Sequence, residues 1–515
     1  MFKGFTEGGL HEQTVLFFTR MKKRDVRPDI FTFPFVIKSC AMIPSFILGV
    51  EIHCFAVKTG LDANAFFGTS LIEMYASLGD VRLGYKVFEE MPERNLVVWT
   101  AIIRSYLSIG DTGTARHLFD QLEERDLILW NTMISGYIEH GDMASAQKLF
   151  EEMPAYDIMS WNTLLLAYAS KDIEACERFF EQIPERNVFS WNGMIGAYAR
   201  HGQFSDILKT FRRMLASSDV KPSDATLVSV LSSCSKLGAL NWGRWIHVYA
   251  ENNGFKGNIY VGNGLIDMYA KCGCIQTAIQ VFDSMEKRDA VTWNSMISSL
   301  AMHGMGLEAL KLFEEMLEDG EKPDGIAFVG ALTACAHLGL VDRAFGCFRS
   351  MIQTYSIAPW IEHYGCMVDL LCRAGLLEEA MRLVRKMPME ADDVIWSNLL
   401  AGSRDLKDIN SAEMVMSKLV KIVPEDVGNY ALMSNVYGDV GRWEDFRRLQ
   451  KMVRRTNGSK TPGCSLVEVN MEVVEFCSSD ARHVRSKDIY QILEGLMDNS
   501  RFVASQLSDS CQSSL

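Results

Sequence analysis

The chain has 515 residues, a formal net charge of −13 and a sequence pI near 5.4, with 48% hydrophobic residues and a mean hydropathy near zero. At this length one compact core is not expected, and no stretch approaches the roughly 18 uninterrupted apolar residues of a membrane span. The acidic balance argues against indiscriminate nucleic-acid binding, which needs lysine and arginine to neutralise phosphate. Thirteen cysteines scatter without paired spacing and are read as small buried thiols of a reducing compartment.

In chain order, residues 1–29 read as a unit truncated at its start: Val26-Arg27-Pro28-Asp29 matches Glu321-Lys322-Pro323-Asp324, which ends a complete unit. Glu7, Glu12, Asp25 and Asp29 contradict the acidic-poor character of a transit peptide, and none is visible. Residues 30–64 form a longer unit and 65–95 one of 31 residues. From there a phrase recurs: Trp99-Thr100, Trp130-Asn131, Trp161-Asn162 and Trp191-Asn192, at steps of 31, 31 and 30 residues. Four and seven positions after each tryptophan come an aliphatic residue and a tyrosine, as in Trp130/Ile134/Tyr137, which is one stripe of an α-helix.

A second amphipathic helix follows in each unit, as in Ala115/Leu118/Phe119/Leu122 and Ala146/Leu149/Phe150/Met153. Gly110-Asp111 and Gly141-Asp142 lie between the helices, a glycine to end one and an aspartate to cap the next. The unit at 158–187 is one residue short around Lys171-Asp172, where a tighter turn is expected. Units at 188–223, 224–258, 259–289, 290–324, 325–360 and 361–392 follow. Helix pairs this short cannot bury their stripes alone, so neighbours must stack: the expected fold is all-α, an α-solenoid of helix-turn-helix repeats. The residue after each tryptophan sits about 100° round the helix, off the stripe, and is polar every time.

Val291-Thr292-Trp293-Asn294-Ser295-Met296-Ile297, Leu265-Ile266-Asp267-Met268-Tyr269-Ala270-Lys271-Cys272-Gly273 and Met91-Pro92-Glu93-Arg94, with the mixed unit lengths, resemble the plant pentatricopeptide repeat family in its PLS subclass. Residues 393–460, with Trp396, Gly428-Asn429-Tyr430 and Gly441-Arg442-Trp443, resemble the E region that follows the repeats in plant editing factors. Residues 461–499, opened by Pro462-Gly463-Cys464-Ser465 and a weakly alternating Leu466-Val467-Glu468-Val469, resemble a degenerate E extension, since relatives carry tryptophan where Leu466 stands. Residues 500–515 read as a disordered tail. The resemblance implies a right-handed solenoid that binds single-stranded RNA, one base per repeat, 5′ to 3′ along the chain.

In that family the fifth and last residues of a repeat choose the base. Carried over, Thr69 with Asn95 resembles an adenine pair and Thr100 with Asp126 a guanine pair. Asn131 with Asp157, Asn263 with Asp289 and Asn294 with Asp324 resemble uracil pairs. Asn162 with Asn187, and Asn192 with Ser223, resemble pyrimidine pairs leaning to cytosine. Pro34/Asn64, Val228/Asn258, Val329/Trp360 and Gly365/Asp392 fit poorly, which leaves an implied tract 5′-AGUYYNUU-3′. The competing explanation makes each asparagine a first-turn cap, which would need no distant partner. The tryptophans read as packing residues rather than base-stacking ones.

No catalytic or metal inventory emerges. A zinc-dependent cytidine deaminase needs His-x-Glu and Cys-x-x-Cys, and neither occurs; Cys272-Gly273-Cys274 reads as core, and the run Arg447-Arg448, Lys451, Arg454-Arg455 as a solvated face. The resemblance thus implies a monomeric, non-enzymatic site-recognition factor for C-to-U editing in a mitochondrion or, alternatively, a chloroplast. It would work without cofactor or membrane and recruit a DYW-type deaminase and multiple organellar RNA editing factors in trans. Transcript stabilisation or splicing, and a protein-binding scaffold, are the competing functions.

Overall fold

A computed structural model describes residues 2–24, 26, 28, 32–43, 46–59, 65–217, 220–424, 427–455, 464–469, 471–477, 486–493 and 495. The expectations for Asn64 and for the tail at 500–515 lie outside them. The chain forms two units, Met1–Pro222 and Ser223–Leu515, and each is a stack of antiparallel helical hairpins, an α-solenoid.

In the first unit the leading helices of successive hairpins are Ala65–Ser77, Leu96–Ser108, Leu127–Glu139, Ile158–Tyr168 and Val188–Arg200, each packed on the next. In the second they are Asp224–Leu237, Ile259–Lys271, Ala290–Met302, Gly325–Leu338, Ile361–Arg373, Asp393–Asp405 and Val427–Asp439. From Leu96 to Ile361 each begins on the first residue of its sequence period.

The repeated tryptophan joins one hairpin to the one before. Trp130 meets Phe119 edge to face at 4.8 Å, Trp99 meets Phe88 at 4.7 Å, Trp191 meets Phe180 at 5.0 Å and Trp293 meets Phe282 at 5.2 Å. An arginine packs on the same phenylalanine and within reach of the tryptophan. Arg125 lies 4.6 Å from the Phe119 ring and donates from Nε to Phe119 O and from Nη2 to Asp120 O, closing the last carbonyls of that helix. Arg94, Arg186 and Arg288 repeat the clasp.

The turns follow from the Gly-Asp pairs. Gly110 and Gly141 take φ of 82° and 80°, and the carboxylates of Asp111 and Asp142 accept from the N–H groups of Thr114 and Ser145. At the short unit the leading helix Ile158–Tyr168 ends early, and the N–H groups of Lys171 and Asp172 both reach Tyr168 O at 3.0 Å. No residue with positive φ is needed there.

Beyond the hairpins, Cys464–Val469 and Glu472–Cys477 pair antiparallel, with Val467 opposite Val474. This ribbon folds back onto the helix Leu240–Asn252 of its own unit. That helix has Ala239 at its N-cap and so no capping side chain; Glu468 Oε2 and Oε1 accept from the N–H groups of Asn241 at 2.7 Å and Trp242 at 3.1 Å. Trp242 Nε1 donates to Met471 O at 2.8 Å.

Candidate nucleic-acid interface

The last residue of each unit is the N-cap of the next leading helix. Asn95 Oδ1 accepts from Val98 N–H, Asp126 Oδ1 from Leu129 N–H, Asp157 Oδ1 from Ser160 N–H and Asp324 Oδ1 from Ala327 N–H. Asn187, Ser223 and Asp289 cap in the same way. The asparagines one position after the tryptophans are therefore not caps. They sit fifth in the helix, a full turn inside, and the capping explanation for them is corrected.

From the fifth position these asparagines reach across to the cap of the next hairpin. Asn131 Nδ2 approaches Asp157 Oδ1 at 3.4 Å, Asn162 Nδ2 approaches Asn187 Oδ1 at 3.3 Å and Asn263 Nδ2 approaches Asp289 Oδ1 at 3.3 Å. Asn294 Nδ2 donates to both oxygens of Asp324 at 2.9 Å. Two of the pairs recruit the third residue of the next helix: Asn162 Oδ1 accepts from Ser190 Oγ and Asn263 Oδ1 from Thr292 Oγ1, both at 2.7 Å. In the other two, Asn131 Oδ1 and Asn294 Oδ1 are buried with no hydrogen-bond partner in the protein. A buried carbonyl without a donor is a standing demand for one.

The two threonine positions behave differently. Thr69 Oγ1 donates to Ala65 O at 2.8 Å and Thr100 Oγ1 to Leu96 O at 2.7 Å, each within its own helix, which leaves only oxygen lone pairs for Asn95, Asp126 or a ligand. Asn192 and Ser223 belong to separate units; Asn192 is half-buried in Val188–Arg200 and Ser223 caps Asp224–Leu237.

Asp157 and Asp289 are ionised acceptors. Burial pushes their carboxyls up, but hydrogen bonds from Ser160 and Asn131 in one case, and from Thr292 and Asn263 in the other, outweigh it and hold both below the usual carboxylate range.

One feature of this face was not read from the sequence. In eight of the hairpins, three residues before the fifth position and on the same side of the helix, stands a large apolar side chain held in solvent: Phe66, Val97, Ile128, Met159, Phe189, Tyr260, Val291 and Ile326. Ile128 is 64% exposed and Phe189 is 70% exposed. A cleft of about 410 Å³ opens between Ile128 of one hairpin and Met159 of the next, with Asn131 and Asp157 at its inner edge and Arg104 at its rim. Apolar walls with a polar edge between them fit a flat heteroaromatic ring. The regular spacing of these residues was visible, but within helices as apolar as Leu-Ile-Leu-Trp nothing marks Ile128 as the one left outside.

Apart from the capping carboxylates Asp126, Asp157, Asp289 and Asp324, the leading helices bring few charges to this face. Leading helices Ile158–Tyr168, Ala290–Met302 and Gly325–Leu338 hold no Asp, Glu, Lys or Arg. The acidic pairs Glu89-Glu90, Glu123-Glu124 and Glu151-Glu152 lie exposed at the ends of the second helices. Arg116 reaches from one second helix to Glu152 of the next at 3.0 Å, and Arg213 reaches Glu181 at 2.7 Å. Lysine and arginine of the second helices offset most of their own carboxylates, and much of the net negative charge lies in the residues that connect and cap the helices.

Comparisons with known proteins fit this architecture. Models described as PPR repeat match residues 69–96, 97–127, 128–158, 189–218, 263–289, 291–321, 328–353 and 359–388, and one described as E motif matches 406–468. A pentatricopeptide repeat-containing protein of Arabidopsis thaliana is 42% identical over 479 residues, covering 93% of this chain and 78% of its own length. A chloroplastic relative from the same plant, ELI1, is 36% identical and covers 95% of this chain and 67% of its own. The crystal structure of the maize pentatricopeptide repeat protein PPR10 aligns over 88% of this chain and 72% of its own, with a TM-score of 0.55 at 20% identity. Repeating hairpins of mixed length, the matched repeats, the E motif after them and the identity along nearly the whole chain lead to one conclusion: this protein belongs to the plant pentatricopeptide repeat family, in its PLS type with an E region.

Proposed function

We propose that the chain binds one single-stranded RNA sequence of a plant organelle and serves as a site-recognition factor for C-to-U editing. The observation that carries this reading is the four asparagine–cap pairs, each beside an exposed apolar side chain. A base enters between two apolar side chains of successive hairpins, such as Ile128 and Met159, and turns its Watson–Crick edge to the pair behind them. The unpartnered Asn131 Oδ1 and Asn294 Oδ1 then accept from the N3–H of uracil, the donor that cytosine lacks.

The sites are Thr69/Asn95, Thr100/Asp126, Asn131/Asp157, Asn162/Asn187, Asn263/Asp289 and Asn294/Asp324, with Asn192 and Ser223 each a base-reading residue of its own unit. Related proteins support an RNA partner: PPR10 has been crystallised with an 18-nucleotide psaJ RNA element. The E motif supports the editing role, with the deaminase supplied in trans. Relatives named mitochondrial and chloroplastic support an organelle; the mitochondrion is our choice between the two.

The test is Asp157→Asn measured on RNAs that differ only at the base opposite Asn131. Asparagine caps as well as aspartate, so the helix Ile158–Tyr168 is kept while the charged acceptor is lost. The expected result is a shift from uracil towards cytosine of about fivefold, one hydrogen bond's worth. An unchanged preference would refute the pair's role. In plants lacking the protein, loss of C-to-U changes just 3′ of an AGUYYNUU tract is expected, and intact editing would replace this function with transcript stabilisation or splicing.

A further inference from the structure

The paired arrangement stops after Asn294 and then comes back. Fifth positions of the next two leading helices hold Val329 and Gly365, which offer no side-chain hydrogen bond. In Asp393–Asp405, which is capped by Asp392, the fifth residue is Ser397, and the third residue of its neighbour Val427–Asp439 is Asn429. These are the two positions that meet as Asn162 and Ser190, or Asn263 and Thr292, within the repeats. Ser397 Oγ donates to Asn429 Oδ1 at 3.2 Å. The apolar flank is present too: Val394, three before Ser397, is 56% exposed.

Asn429 differs from its counterparts in what it leaves open. It is 6% exposed, and its Nδ2 has no hydrogen-bond partner in the protein, so a two-hydrogen donor faces the site unfilled. At the fifth positions of the repeats the unpartnered side-chain atoms are acceptors, Asn131 Oδ1 and Asn294 Oδ1; here the unpartnered atom is a donor. A buried donor beside an exposed apolar side chain matches a ring that presents a carbonyl oxygen.

We propose that Ser397 and Asn429 form a further nucleotide-binding position outside the repeats, taking one unpaired base whose carbonyl oxygen accepts from Asn429 Nδ2. It rests on the reading that the repeats bind RNA. With one base per leading helix, Val329 and Gly365 each pass over a base unread, and the base at Ser397 and Asn429 is the third one 3′ of that opposite Asn294. The hairpins after the repeats thus hold the RNA in register where editing would act, rather than only presenting a surface to other proteins.

The experiment scans that third base as uracil, cytosine, guanine and adenine in an otherwise fixed RNA, with the full chain, and measures Kd. The wild type is expected to bind uracil or guanine about three- to tenfold more tightly than adenine, which shows no carbonyl there. Asn429→Asp, which replaces the donor with an acceptor in the same shape, should erase that preference, and Ser397→Ala should weaken it; both should keep the uracil preference opposite Asn294. If the wild type is indifferent to the third base yet discriminates opposite Asn294, the proposal is overturned and Asn429 Nδ2 is met only by water. If it discriminates at neither base, the RNA reading fails and takes the proposal with it.

Discussion

Adjacent hairpins at 290–324 and 325–360 share a backbone phase and do opposite things with it. In the first, Asn294 is 4% exposed, bonds both oxygens of Asp324 and keeps Oδ1 unpartnered. In the second, the fifth residue is Val329 and the last is Trp360, whose ring lies over Gly325 so closely that a Cβ there would stand 2.6 Å from it. The third residue of the next helix, His363, is fully buried; its Nδ1 accepts from Trp360 N–H at 2.9 Å, and its Nε2 meets Gly325 O at 2.8 Å. Those partners fix the tautomer with the proton on Nε2. One hairpin leaves hydrogen-bonding capacity for a ligand, while the other satisfies every group internally. A silent position in the array is therefore built, by packing, and is more than a missing asparagine.

The contrast is broken most severely by His363→Ala. It leaves Trp360 N–H without its partner, takes the second donor from the buried Gly325 O and opens a cavity, so the second unit should lose about 2–4 kcal/mol. Chemical denaturation followed by hydrogen exchange in Gly325–Leu338 would measure it, and base preference opposite Asn294 should not change. The pH dependence gives an independent check. Burial pushes the His363 imidazole below its ordinary 6.5, against hydrogen bonds to Gly325 and Trp360 that raise it. A depressed histidine contributes stability that is complete above the unfolded value and is lost as pH falls through the folded one. The wild type should therefore weaken on the acid side of 6.5, and His363→Ala should lack that slope.

A smaller effect sharpens the comparison from the other side. Val329→Asn with Trp360→Asp rebuilds the pair of the preceding hairpin and supplies a capping carboxylate. The double variant should gain a uracil preference of about fivefold at a base to which the wild type is indifferent. RNAs varied at that base alone measure it; an indifferent double variant would mean that the exposed Ile326 and the pair do not suffice to seat a base.

Much of this was legible because it repeats. The tryptophan phrase set the helix starts, its stripe predicted packing between helices, and Trp130 on Phe119 is that packing. Gly110-Asp111 announced a left-handed turn followed by a cap, and both are present. Local chemistry left two explanations open where one residue type does two jobs: asparagine caps helices, and only the structure shows that Asp126, not Asn131, does that work at the start of the helix. Arg94 stands in the sequence only as the end of Met91-Pro92-Glu93-Arg94, since nothing local says that its guanidinium turns back on Phe88 O and Glu89 O. Exposure was illegible, because Ile128 and Leu129 differ by a rotation about the helix axis and not by chemistry. Contacts between distant parts of the chain were out of reach altogether, as Glu468 shows.

Glu468 supplies the smallest effect and a separate comparison. The second helices Val81–Glu90, Thr112–Asp120 and Met143–Glu151 carry their own caps, Asp80, Asp111 and Asp142, whereas Leu240–Asn252 begins behind Ala239 and borrows a carboxylate from a ribbon more than two hundred residues away. Glu468→Ala removes the acceptor of two first-turn N–H groups at the positive end of the helix dipole, and a cost of about 1 kcal/mol is expected. Glu468→Gln keeps an acceptor and loses the charge, for about half of that. Because the same ribbon takes the Trp242 Nε1–H bond at Met471 O, the loss should appear locally, as faster exchange of the Asn241 and Trp242 amides, while Met143–Glu151 keeps its protection. Equal exchange in wild type and Glu468→Ala would show that the ribbon does not hold this helix in solution. Ala239→Asp is the complement: a cap supplied from within the hairpin should make the Glu468→Ala change nearly silent, which a general loss of folding in the ribbon would not.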